Sequence, residues 1–174
     1  LDVSANPNLE VLNCGNNQLT ALNLSQNPAL NYLISSDNQL TALDVSNNPL
    51  LVYLLTGYNQ ISSLNIANLT VLRHFNCESN PINALNLSNN LVLEDVVCNN
   101  TFITGLDCSA NTLLSLLYCS SNPNLSALNI RNAPITSLLA LNCPSLTCIE
   151  VSDVTAANTN LSGGKDPGAT FSLS

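Results

Sequence analysis

The chain has 174 residues, 45% of them hydrophobic and 8% charged, a composition too apolar for disorder and sized for a single domain. Acidic residues outnumber the basic ones, Arg73, Arg131 and Lys165, and the net charge is -8. A surface of that sign repels nucleic-acid phosphates and anionic lipid. No apolar run approaches the roughly 18 residues of a membrane helix. Neither nucleic-acid binding nor membrane insertion is therefore expected.

Residue 1 starts inside a repeat phrase, LDVSANPN, so upstream coils or a cap are expected to be missing. From there two kinds of phrase alternate. The first kind reads LEVLNCGNN (9–17), LNYLISSDN (30–38), LVYLLTGYN (51–59), LRHFNCESN (72–80), LEDVVCNNT (93–101) and LLSLLYCSSN (113–122). The second reads LTALNLSQN (19–27), LTALDVSNN (40–48), ISSLNIANL (61–69), INALNLSNN (82–90) and ITGLDCSAN (103–111). One phrase of each kind makes a unit of about 21 residues, and a fixed period of that length marks a solenoid.

Around Leu12 and Leu22 the apolar spacing is two, which is strand periodicity, and the links NNQ and SQNPA are turn chemistry. The fold class that follows is an all-β-rich leucine-rich repeat solenoid. It should have about seven coils, two short parallel strands per coil and little or no helix. Asn residues end nearly every phrase, and an amide side chain can satisfy both donors and acceptors of a neighbouring coil's backbone. Leu69 and Thr101 are the exceptions, on either side of the coil that holds Arg73 and His74.

The pattern L-x-x-L-x-C-x-x-N-x-L-T-x-L-D-L-S-x-N-P resembles the nested class of bacterial leucine-rich repeats, the IRREKO type, common in surface proteins of Bacteroidetes. The segment LTCIEVSDVTAANTNLSGGKDPGATFS (146–172) resembles that family's terminal cap. The division implied is a repeat solenoid over residues 1–146 and a capping segment over 147–174. The resemblance also implies a secreted or cell-surface bacterial protein, often followed by a sorting domain. In the family a Cys often follows the final F-S of the cap. Here the chain ends FSLS, which leaves Cys148 without that partner.

Seven cysteines are present. Cys14, Cys77, Cys98 and Cys119 share one inward position and read as a buried ladder of small apolar groups. A one-column ladder does not supply a tetrahedral cluster, so no metal is expected. Cys143 and Cys148, near the cap, are the candidate disulfide pair.

The two phrases differ in how much they vary. In the second, the outward positions are small and interchangeable, as in Thr20, Thr41, Ser62, Asn83 and Thr104. In the first, one outward column runs Val11, Tyr32, Tyr53, His74, Asp95, Leu116, and the next runs Asn13, Ile34, Leu55, Asn76, Val97, Tyr118. The candidate ligand-binding residues are therefore Tyr32, Ile34, Tyr53, Leu55, Tyr58, His74, Asp95 and Tyr118. Register places Arg73 beside Glu94 and His74 between Tyr53 and Asp95. Adjacent strand residues alternate sides, so Glu94 and Asp95 should not act as a carboxylate pair. No nucleophile accompanies His74, and no enzyme activity or cofactor is expected.

The functional expectation is a non-enzymatic extracellular recognition module for a protein or a polysaccharide. The alternatives are a stiff spacer in a larger cell-surface protein and homodimerisation through the same face.

Overall fold

A computed structural model describes residues 1–173 and shows a parallel β-solenoid. Each first phrase contributes one three-residue strand: β1 (Val11–Asn13), β2 (Tyr32–Ile34), β3 (Tyr53–Leu55), β4 (His74–Asn76) and β5 (Asp95–Val97). After a strand from the second phrase, β6 (Gly105–Asp107), the series continues with β7 (Leu116–Tyr118), and β9 (Ser137–Leu139) closes it. These seven strands form one sheet in the order β1-β2-β3-β4-β5-β7-β9. Register is regular, with Leu33 opposite Leu54 and Phe75 opposite Val96.

Alternation sets which side chains are core. The middle residue of β2, β3, β4, β5 and β7 is fully buried and its two neighbours are half-buried. Leu30, Leu51, Leu72, Leu93 and Leu114 form a second buried rung ahead of those strands. The cysteine ladder is a third: Cys77, Cys98 and Cys119 are wholly buried, with Ser35 and Thr56 in the same column where Cys is absent.

The Asn residues do what their amide chemistry allows. Asn80 donates through Nδ2 to the carbonyls of Thr56, Cys77 and Glu78 at 3.0, 3.1 and 3.2 Å, and its Oδ1 accepts from the Ile61 amide at 2.9 Å. Asn38, Asn59 and Asn122 repeat the pattern. Where Thr101 replaces Asn, its hydroxyl donates its one proton to Asn122 Oδ1 at 2.7 Å, with the Cys98 carbonyl 3.2 Å away. The second Asn column donates across coils as well, Asn48 Nδ2 reaching the carbonyls of Leu24 and Asn27.

The second sheet is shorter than two strands per coil would give. Among the described residues it has four strands: β6, β8 (Ala127–Asn129), β10 (Cys148–Glu150) and β11 (Thr170–Ser172). Local propensity does not explain this, because LTALNL and LSALNI are the same chemistry. Spacing does: the arc from Leu117 to Leu128 is one residue longer than the arc from Val96 to Leu106, because Pro123 and Asn124 stand where the earlier coil has Phe102 alone. The longer arc sets β8 in place, and β6 joins the sheet as its edge by pairing with β8. In the coils before β6 the amide that opens the second phrase is held by the next coil's Asn, as Leu40 N is by Asn59 Oδ1 at 3.0 Å.

The one α-helix among the described residues, α1 (Val154–Asn160), follows β10 and is N-capped by Asp153, whose side chain accepts from the Ala156 amide. The chain then passes under β9, where the Gly164 carbonyl accepts from the Ala140 amide at 2.6 Å. A Cβ at Gly164 would overlap the Leu138 carbonyl, so this crossing requires glycine. Asp166 accepts from the amides of Asn142 and Cys143 at 2.9 and 2.6 Å, tying the terminal segment to the last coil.

All seven cysteines are free, and Cys143 and Cys148 do not pair. Cys143 sits where earlier coils carry Asn122 or Asn80. Its Sγ points into the turn toward the carbonyls of Cys119 and Leu141 at 3.4 and 3.6 Å. Cys148 lies on β10 of the second sheet, with Sγ 2.9 Å from Ser172 Oγ.

Candidate functional site

The seven-stranded sheet brings one outward column into continuous contact. The Tyr32 and Tyr53 ring centroids are 4.8 Å apart at an interplanar angle of 36°. Tyr53 and His74 stack at 4.1 Å and 18°. The His74 Nδ1 then lies 2.5 Å from Asp95 Oδ1. This order follows from register alone, because parallel in-register strands place equivalent side chains one above the other.

Stacking has a consequence for recognition. Tyr53 has one ring face covered by Tyr32 and the other by His74, so the sheet presents ring edges and phenol tips outward. The column is half-buried, and Ile34 and Leu55 fill the neighbouring column beside it. Tyr118 lies farther along that neighbouring column, with its hydroxyl 3.1 Å from Ser137 Oγ, and does not join the stack. Tyr58 lies on the turn after β3, is 52% exposed and has φ 56°, the left-handed region. In other coils that position holds Asn, Asp or Ser. A bulky aromatic there is strained.

Arg73 pairs with Glu94 on the rim of the sheet, and both side chains are well exposed. Glu94 also approaches His74, with Oε2 4.0 Å from Nε2. Both carboxylates thus reach one imidazole, contrary to the expected alternation. Glu94 precedes its strand, so its side chain is not held to the pleat of β5. The arrangement is an electrostatic cluster in which two carboxylates and a stacked ring surround His74. Burial also keeps the ladder thiols from acting as nucleophiles. Burial raises the pKa of Cys77, Cys98 and Cys119, and burial with nearby Asp107 pushes Cys108 up to about 12, leaving each protonated at neutral pH. Two recesses of the surface lie elsewhere, one between Ile130 and α1, another over Gly105, Ala127 and Cys148 on the second sheet.

Phe102 is a surface residue that sequence reasoning missed. It is 52% exposed on the same edge as Tyr58, two coils further on. In the preceding coils its column holds Gln18, Gln39, Gln60 and Pro81, and that departure is the signal.

No family model matches the sequence, and no curated protein matches it. Solved structures do. The functional domain of InlJ from Listeria monocytogenes, which includes a cysteine ladder, superposes with a TM-score of 0.72 at 25% identity over 92% of this chain. The fold is that of a bacterial leucine-rich repeat solenoid. The internalin InlF, also from Listeria monocytogenes, matches over 98% of this chain with a TM-score of 0.71 and 25% identity. A leucine-rich repeat protein of Leptospira interrogans gives 0.63 at 20% identity over 95%. The solenoid spans about half the length of these proteins: 45% of the InlJ chain, 52% of the InlF chain and 49% of the Leptospira chain.

Proposed function

We propose that this solenoid is a non-enzymatic recognition module of a secreted or cell-surface protein, and that it binds a protein partner through the tyrosine-bearing sheet. The observation that carries the reading is the Tyr32–Tyr53–His74 stack. A sugar ring packs against the flat face of an aromatic, and both faces of Tyr53 are already covered. What remains outward is a ridge of ring edges and hydroxyls flanked by Ile34, Leu55, Asp95 and the Arg73–Glu94 pair. That mixture of aromatic, aliphatic and charged groups is the composition of a protein interface. The likeness to internalin structures supports the same reading.

The test is capture of extracellular proteins and a glycan array run side by side, with wild type and the Tyr32→Ser, Tyr53→Ser double variant. The expected result is a protein retained by wild type and lost with the variant. Retention of a polysaccharide that the variant loses would assign the face to glycans instead. Equal capture by both proteins would move the site off this sheet.

A further inference from the structure

A second exposed surface runs along the flank where each coil turns toward the seven-stranded sheet. Leu50, Val71, Leu91 and Leu113 are 53%, 40%, 53% and 49% exposed. They sit on four consecutive coils, ahead of β3, β4, β5 and β7, in one recurring turn, of which Leu50, Val71 and Leu113 are the third residue and Leu91 the second. Leu51 N donates to the Asn48 carbonyl, Leu72 N to that of Leu69, Leu93 N to that of Asn90 and Leu114 N to that of Asn111, all between 3.0 and 3.2 Å. The residues between, 47–49, 68–70, 89–92 and 110–112, include no charged side chain. A contiguous apolar stripe of this kind is more than scattered surface leucine.

We propose that this flank is where a second copy of the chain docks, antiparallel, about a two-fold axis passing between Val71 and Leu91. Three features single out a second copy. The chain carries a net charge of -8, so contact between copies is repulsive wherever the acidic residues face each other, and the stripe itself has none. The stripe maps onto itself under that axis: Leu50 meets the Leu113 of the second copy, and Val71 meets its Leu91. The adjacent rim is also self-complementary. Arg73 and Glu94 stand beside Val71 and Leu91, and the same axis brings Arg73 of each copy over Glu94 of the other. Two ion pairs become a square of alternating charge. Four aliphatic side chains cover less than the roughly 800 Å² per partner of a standard interface, so the dimer is weak and its population depends on concentration. This docking leaves the Tyr32 and Tyr53 rings free while it covers the Arg73–Glu94 pair at the rim of their face, and it does not rest on the function proposed for that face.

Sedimentation equilibrium of the whole chain over a wide concentration range tests the proposal, with thermal melts confirming that each variant is folded. Wild type should show reversible dimerisation, and Leu91→Asp should be monomeric throughout. Arg73→Glu should weaken the dimer by about tenfold or more by setting like charges together, and the Arg73→Glu, Glu94→Arg double variant should restore it. A wild type that stays monomeric at the highest concentration overturns the proposal. So does a dimer that Leu91→Asp leaves intact, and if Tyr53→Ser then dissociates it, the tyrosine sheet is the contact between copies.

Discussion

The His74 ring lies 4.1 Å from that of Tyr53, with their planes 18° apart, so the one histidine of the chain serves as the third ring of a stack that begins at Tyr32. An offset-stacked aromatic pair contributes roughly 0.5–1.5 kcal/mol beyond the area it buries. His74→Ala should lower stability by about that amount and free one face of Tyr53. Chemical denaturation measures the loss, and an unchanged midpoint would mean that the rings do not support one another.

The edge-on arrangement separates Tyr53→Phe from the outcome a sugar platform gives. A platform uses the ring face and tolerates loss of the hydroxyl. A ridge of phenol tips does not, and Tyr53→Phe should weaken partner binding by about 0.5–1.5 kcal/mol, the net worth of one hydrogen bond. Titration calorimetry with the captured partner reads this directly.

The two Asn columns should respond differently to the same substitution. Asn80 satisfies three carbonyls and one amide, whereas the second column already accommodates Leu69. Unpaired buried backbone groups cost roughly 1–3 kcal/mol each. Asn80→Leu is therefore expected to lose on the order of 3 kcal/mol or more, and Asn90→Leu less. Thermal melts of the two variants give the comparison; equal losses would contradict the assigned roles.

Alkali should destabilise the fold through the cysteine ladder. Burial raises the pKa of Cys77, Cys98, Cys108 and Cys119 above that of an unfolded thiol. Above about pH 8.5 the unfolded chain loses protons that the folded chain keeps. Stability is thus complete below that pH and declines as pH rises toward the folded values, at roughly 1 kcal/mol per thiol per pH unit. Replacing Cys98 with Ala should make the decline shallower in urea melts between about pH 8 and 10. The same burial leaves half-exposed Cys148 as the thiol that labels readily in the native state. Rapid native labelling of Cys98 or Cys119 would contradict the ladder.

Tyr58 occupies a left-handed position that disfavours its side chain. Tyr58→Asn should raise stability by several tenths of a kcal/mol while weakening partner binding. A variant more stable and equally tight in binding would remove Tyr58 from the interface.

Much of this is legible from the repeat. Period-two spacing around Leu12 and the recurring Asn point to the first sheet, its inward ladder and the order Tyr32, Tyr53, His74, Asp95, because parallel register turns equal spacing into stacking. What spacing does not carry is anything that depends on one residue more or less. The longer arc before Leu128 decides where the second sheet forms, and Cys143 reads as half of a disulfide as long as its place in the Asn column is not visible. Ring orientation is likewise a property of contact, so a column of tyrosines reads equally well as a platform for sugars. The flank carrying Leu50 and Leu113 is hidden because these residues adjoin buried leucines of the repeat.

Covalent surface footprinting of the chain with its captured partner tests the central claim most directly. The account predicts protection of Tyr32, Tyr53, Tyr58 and His74, with Thr41, Ser62 and Asn83 of the opposite phrases labelled as in the free chain. Protection of the opposite phrases with the tyrosine column still open would contradict it.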